Sequence, residues 1–208
     1  MTNGHLLRDR RGASAAEFAL VLPAFLIIFF GVIDGGRWMW AMNRAEKATQ
    51  AGARVAVVTQ LIPSGLATSY VNVNGLTQGD VIPASALGKV VCTKTGQANV
   101  NCTCQPPTGA LPCPSPLGPF NSSGWDAIVR RMSATYSPIA SSNVVVEYSG
   151  SGLGYAGDPD GQDISPLVTV RLRNLGFRPI TLLAIHSMLL PTTGTTLTAE
   201  DELGNYSN

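Results

Sequence analysis

The chain has 208 residues, with 14 Lys+Arg against 13 Asp+Glu and only 13% of residues charged. That length accommodates one ordinary domain with an appendage, and the even charge balance offers no basic field for nucleic acid and no charged tail. The 22 glycines and 14 prolines follow no period, which excludes a collagen-like fibre.

The first dozen residues carry Arg8, Arg10 and Arg11 and end at Gly12. Sixteen apolar or small residues run from Phe18 to Ile33, and between Ala13 and Ile33 the one charge is Glu17. About 20 helical residues cross a ~30 Å hydrocarbon layer, so residues 13–36 are expected to form a transmembrane helix. Trp38 and Trp40 follow, where indole rings favour the headgroup zone. A cleaved secretory signal would have a shorter apolar core and then a small-x-small site. Here the run ends in GVIDGGRWMW instead. A buried core helix would leave the basic leader unexplained.

Charge counting does not orient this helix, because Arg37, Arg44 and Lys47 after it balance the arginines before it. The cysteines do. Cys92, Cys102, Cys104 and Cys113 form an even set in the long C-terminal part, a pattern suited to disulfides outside the cytoplasm. The N-terminus is therefore expected in the cytoplasm, with residues from about 37 onward outside it.

A charge at the centre of a membrane helix costs ~2.5–3.5 kcal/mol, less near the edge, and is usually functional. Glu17 could simply reach Arg11 or lipid headgroups. A sharper reading starts at Gly12. Cutting the Gly12–Ala13 bond would create an ammonium four residues before Glu17, on the same helix face. A basic leader, a glycine, then a glutamate at the fifth position of the shortened chain is the processing pattern of type IVb prepilins.

The stretch RGASAAEFALVLP, followed by the apolar run and GVIDGGR, closely resembles the start of TadE-like proteins, the minor pilin-like components of Tad (Flp) pilus systems. The resemblance covers about residues 11–58, including the Ala-rich NRAEKATQAGARVAVV, and is most specific through residue 37. It implies recognition by a prepilin peptidase, with Gly12 as the last leader residue, Ala13 as the mature start and Glu17–Phe18 in the recognised motif. It also implies residence in the bacterial inner membrane, among other pilin-like and membrane-embedded pilus assembly subunits.

Pro23 removes one backbone donor and crowds the carbonyl of Ala19, which membrane helices tolerate. Gly31 and Gly35 have the G-x-x-x-G spacing that lets two helices approach closely, although a Gly-rich chain also produces it by chance. Beyond them, Met42, Ala45, Ala48, Thr49, Gly52, Val55 and Ala56 fall on one stripe. Asn43, Arg44, Glu46, Lys47, Gln50 and Arg54 lie opposite. One helix is expected from about 13 to 59, with Pro23 and Gly35–Gly36 as candidate bends and 37–60 as an amphipathic stalk.

Residues 61–208 are expected to form an α+β head with an antiparallel sheet. SSGWDAIVRRMSATYS reads as a helix capped by Ser122 or Ser123, with Trp125, Ile128, Val129 and Met132 on one face. NVVVEYS (143–149) and LVTVRLRNL (167–175) read as strands, TLLAIHSMLL as a short helix and TTLTAED as a final strand. Four cysteines and six prolines crowd residues 92–119, which reads as a loop stapled by disulfides. Of three possible pairings, Cys102–Cys104 is the least favoured because its ring is very tight. Zinc is the rival, but C-x₂-C spacing and a nearby histidine are both lacking.

Two further motifs carry little. Gly152, Gly154 and Gly157 spell a dinucleotide fingerprint, which needs a helix N-terminus next; DPDGQD follows instead. Asp158, Asp160 and Asp163 offer oxygens for calcium but miss the EF-hand spacing. His5 and His186 are the only histidines, and no G-x-S-x-G elbow is present. No catalytic residue, metal or cofactor is therefore expected. The favoured function is a non-catalytic, membrane-anchored pilin-like component; the alternative is a single-pass, envelope-anchored binding protein that never enters a pilus.

Overall fold

The computed structural model describes residues 13–73, 75–96, 98–105, 116–159, 162–180 and 188–200. Helix α1 spans Ala13–Ala56 and carries Pro23 within it. It passes through Gly35–Gly36 without a break in helical hydrogen bonding. After it come strands β1 (Lys89–Thr93) and β2 (Asn101–Gln105), helix α2 (Ser122–Thr135), β3 (Val144–Ser149), β4 (Leu167–Leu172), β5 (Gly176–Phe177), β6 (Met188–Leu189) and β7 (Thr193–Thr198). The described residues form two compact units: 13–41 with 176–180 and 188, and the remainder.

In the larger unit, five strands form an antiparallel sheet in the order β2-β1-β3-β4-β7; outside that sheet, β5 pairs with β6. The class is α+β. Strand alternation decides what each face carries. One row runs Cys102, Cys92, Val146, Val170, Thr195 across the sheet, and the next runs Cys104, Val90, Tyr148, Val168, Leu197. This face receives the helices. Met132 of α2 and Val170 both reach Gly52 of α1, and the Thr49 and Thr195 hydroxyls lie 3.0 Å apart. On the other face Glu147 holds Lys89 at 2.9 Å and Arg171 at 3.0 Å.

The small-residue stripe of α1 explains how closely its second half packs. Ala45, Ala48, Thr49, Gly52 and Ala56 are buried, Met42 and Val55 are half-buried, and all six residues expected on the opposite side are exposed. A Cβ on Gly52 would lie 2.7 Å from both Cγ and Sδ of Met132 and 3.3 Å from Val170 Cγ1. Glycine is thus required by proximity.

Helix α2 buries Trp125, Ile128 and Met132 as its period predicts, while Val129 stays half-buried. The cap differs from the expected serine. Asn121 Oδ1 accepts the Gly124 amide at 3.0 Å, and its Nδ2 donates to the Gln60 carbonyl at 3.1 Å. The asparagine wins because it satisfies an orphan helix amide and fastens the preceding chain at once. The Trp125 indole donates to Ser141 Oγ at 2.8 Å, so the largest buried side chain leaves no unpaired donor.

Three expectations need correction. Residues 92–119 are not one loop: Lys89–Thr93 and Asn101–Gln105 form a hairpin on the sheet. All six prolines lie at 106 and beyond, so the first half of the region is free to pair. The segment TLLAIHSMLL is not a helix where it is described. Met188–Leu189 is strand β6, and residues 181–187 lie outside the described residues. Helix α1 ends at Ala56, a few residues before the expected limit. β3 lies within the strand expected over 143–149, and β4 starts at Leu167 as expected but ends at Leu172, three residues short of 175. β7 (Thr193–Thr198) overlaps the start of the expected final strand TTLTAED.

Candidate functional site

The residues expected to carry processing sit at the start of α1. Ala13 opens the helix, and Glu17 and Phe18 lie exposed on its next turn; Gly12 lies outside the described residues. Because the backbone is helical from Ala13, Glu17 shares a face with it. The following apolar residues form a helix surface with a mean hydropathy of 2.5 over 18 residues, none of them buried. Exposed long apolar side chains on a helix of this length suit a bilayer.

Gly31 and Gly35 are equally open. A Cβ on either would meet nothing within 4 Å. Among the described residues, nothing takes up the close approach that these glycines permit. They border an apolar groove of about 990 Å³, walled by Leu26, Ile27 and Phe30 on one side and by Phe177, Ile180 and Met188 on the other.

At the end of the apolar run, structure adds a contact that sequence pattern missed. Asp34 is only 7% exposed. Its Oδ1 accepts Arg37 Nη1 at 3.0 Å and the Ile180 amide at 2.8 Å. The Arg37 guanidinium also donates to the Arg178 carbonyl at 3.5 Å and stands 5.4 Å from the centre of the Phe177 ring. A carboxylate just past an apolar run is costly unless paired, and here both an ion pair and an amide pair it. The local signal was the opposite charge three residues on. No local signal marked residue 180.

Cys92, Cys102 and Cys104 belong to the larger unit. Cys92 and Cys102 are direct cross-strand neighbours and form a disulfide. Cys104 is also disulfide-bonded, and Cys113 lies outside the described residues. Oxidised sulfurs are not available as nucleophiles or zinc ligands.

The glycine motif resolves into a turn. Gly152, Gly154 and Gly157 all have positive φ, and a Cβ on Gly154 would fall 2.1 Å from the Asp163 carbonyl oxygen. Among the described residues no helix follows, so they offer no array of free helix amides to a pyrophosphate. Asp163 organises the turn. Its Oδ2 accepts the Tyr70 amide at 2.6 Å, the Gly157 amide at 2.8 Å and the Ser69 hydroxyl at 3.0 Å; its Oδ1 accepts the Asp158 amide at 3.2 Å. Burial raises the Asp163 pKa, but these donors outweigh it and hold the carboxyl below its usual range. Burial first, and the Asp163 charge second, push the Tyr70 phenol up to about 12. Asp160 lies outside the described residues, among which no group of three or more His, Cys, Asp or Glu converges.

With this geometry in place, comparison with known proteins gives one match. Residues 12–54 match the model of the TadE-like protein family, the family that the N-terminal motif resembles. The match begins at Gly12 and ends within α1, so the sheet lies outside it. No curated protein and no solved structure matches the chain.

Proposed function

We propose that the chain is a membrane-anchored, non-catalytic, minor pseudopilin-like component of a Tad-type pilus or secretion machine. The observation that carries this reading is the TadE-like match over 12–54, which takes in the Gly12–Ala13 junction, Glu17 and the wholly exposed apolar helix. In this reading residues 1–12 are a leader, 13–36 cross the bacterial inner membrane once, 37–60 form the stalk and 61–208 form the head outside the cytoplasm. The Cys92–Cys102 disulfide supports that topology, since such bonds persist in oxidising compartments.

The mechanism is one of anchoring and lateral assembly. Prepilin peptidase cuts after Gly12, freeing an ammonium on Ala13. Glu17, one turn away, is then placed to neutralise an ammonium within its own helix or on a neighbouring pilin-like subunit, where low dielectric strengthens the pairing. The open faces at Gly31 and Gly35 let a neighbouring helix approach.

Intact-mass measurement in cells carrying the cognate peptidase tests this reading. The expected product begins at Ala13, and replacing Gly12 by a bulky residue leaves residues 1–12 attached. A wild-type chain that keeps residues 1–12 in those cells sinks the pseudopilin reading and favours an envelope-anchored binding protein.

A further inference from the structure

We propose that the exposed side chains of Ile180 and Met188 form a second membrane-contacting patch, lying in the outer interfacial layer of the same bilayer that α1 crosses. The inference rests on the reading of α1 as membrane-spanning and adds a contact that reading does not require. Ile180 and Met188 are 50% and 44% exposed. Both belong to the compact unit formed with residues 13–41 and not to the sheet-bearing one.

Their height along α1 follows from two contacts. The Ile180 amide is tied to Asp34, at the end of the apolar run. The groove that Ile180 and Met188 wall reaches Leu26, Ile27 and Phe30 on the helix. Leu26 lies eight residues before Asp34, about 12 Å along a helix axis. A groove that begins at the membrane boundary and extends that far into the apolar run opens onto acyl chains, not water.

The polar groups agree with this depth. Arg37 and the exposed Arg178 sit beside the Asp34–Ile180 link, where long cationic side chains reach phosphate headgroups while their stems stay in apolar surroundings. The Trp38 indole borders the same groove, as interfacial tryptophans do. Exposed apolar side chains at Ile180 and Met188, with Arg178 and Arg37 nearby and beside an apolar helix, match a lipid surface in both polarity and position. Leu153 is an exposed apolar side chain of the sheet-bearing unit, which offers a comparison site off the apolar helix's unit.

Spin labelling of the full chain in phosphatidylethanolamine–phosphatidylglycerol vesicles tests the proposal. Nitroxides are placed through Ile180→Cys, Val32→Cys and Leu153→Cys, with the wild-type chain carried through the same labelling as background. Collision with oxygen reports lipid, and collision with a water-soluble nickel complex reports water. The Ile180 label is expected to behave like the Val32 label, with several-fold less nickel collision than Leu153, which is 56% exposed. Nickel access equal to that of Leu153 overturns the proposal. So does shielding from both probes, which points to a protein partner or a second copy. A water-exposed Val32 label overturns the membrane-spanning reading and this inference with it.

Discussion

The carboxylate of Asp34 accepts the backbone amide of Ile180 at 2.8 Å, joining residues 146 positions apart in the chain. A single acid at the end of the apolar run thus holds a segment that no periodicity in its own sequence would bring there. Asp34→Ala leaves that amide without its acceptor, at a cost of about 1–3 kcal/mol. Hydrogen exchange at Ile180 is expected to accelerate roughly tenfold or more, while Asp34→Asn, which keeps an acceptor oxygen, changes it less. Exchange at wild-type rates in the alanine variant would show that the amide is protected by other means.

Glu17 is expected to matter for assembly more than for insertion. An acid at the bilayer edge costs less than one at the centre, so Glu17→Gln keeps membrane fractionation normal or slightly improves it. Cleavage after Gly12 also stays normal. Losing the charge removes the partner of the Ala13 ammonium, and co-purification with the pilus machinery falls. Wild-type incorporation would leave Glu17 as a tolerated interfacial acid.

Gly52 supplies a packing prediction. Leucine at this position must displace Met132 and Val170, since even a Cβ would stand 2.7 Å from Met132. Overpacking of this kind costs about 1–3 kcal/mol, or roughly 2–12 °C in Tm for a chain of this size. Gly52→Ala is milder, because improved helix propensity of about 1 kcal/mol offsets part of the overlap. Thermal unfolding in detergent would rank wild type, alanine and leucine.

Asp163 makes stability sensitive to acid. Its carboxyl, held below the usual range by four donors, is ionised and fully stabilising above the unfolded value near pH 4. That contribution is lost as pH falls through the depressed folded value. Asp163→Asn is therefore less stable than wild type at pH 7, and the gap narrows steadily below about pH 4. A gap that stays constant from pH 7 to pH 2 would mean that charge is not what Asp163 contributes. Glu147 adds an effect of the same sign: burial raises its pKa, and Lys89 and Arg171 outweigh that.

Elements with a clear period were legible before any coordinates. Val168, Val170 and Leu172 alternate with polar neighbours, and Trp125, Ile128 and Met132 recur at helical spacing, so β4 and α2 follow from local pattern. The β1–β2 hairpin was obscured because six prolines at 106–119 lent their character to the proline-free stretch before them. The Asn121 cap was missed because two serines beside it carry the same local signal, and only the distant Gln60 carbonyl favours asparagine. The Asp34–Ile180 contact has no local signature at all, since it depends on where residues far apart in sequence are delivered.

The disulfide between Cys92 and Cys102 has a mechanical consequence. A hairpin pulled at its two ends ordinarily unzips one hydrogen-bonded pair after another toward its turn. Here tension entering along β1 and leaving along β2 passes from sulfur to sulfur once it reaches this pair, which lies 10 residues apart in sequence. Residues 93–101 then carry no load. About 33–36 Å of contour is withheld from extension, so a stretched head yields elsewhere before it lengthens through this turn.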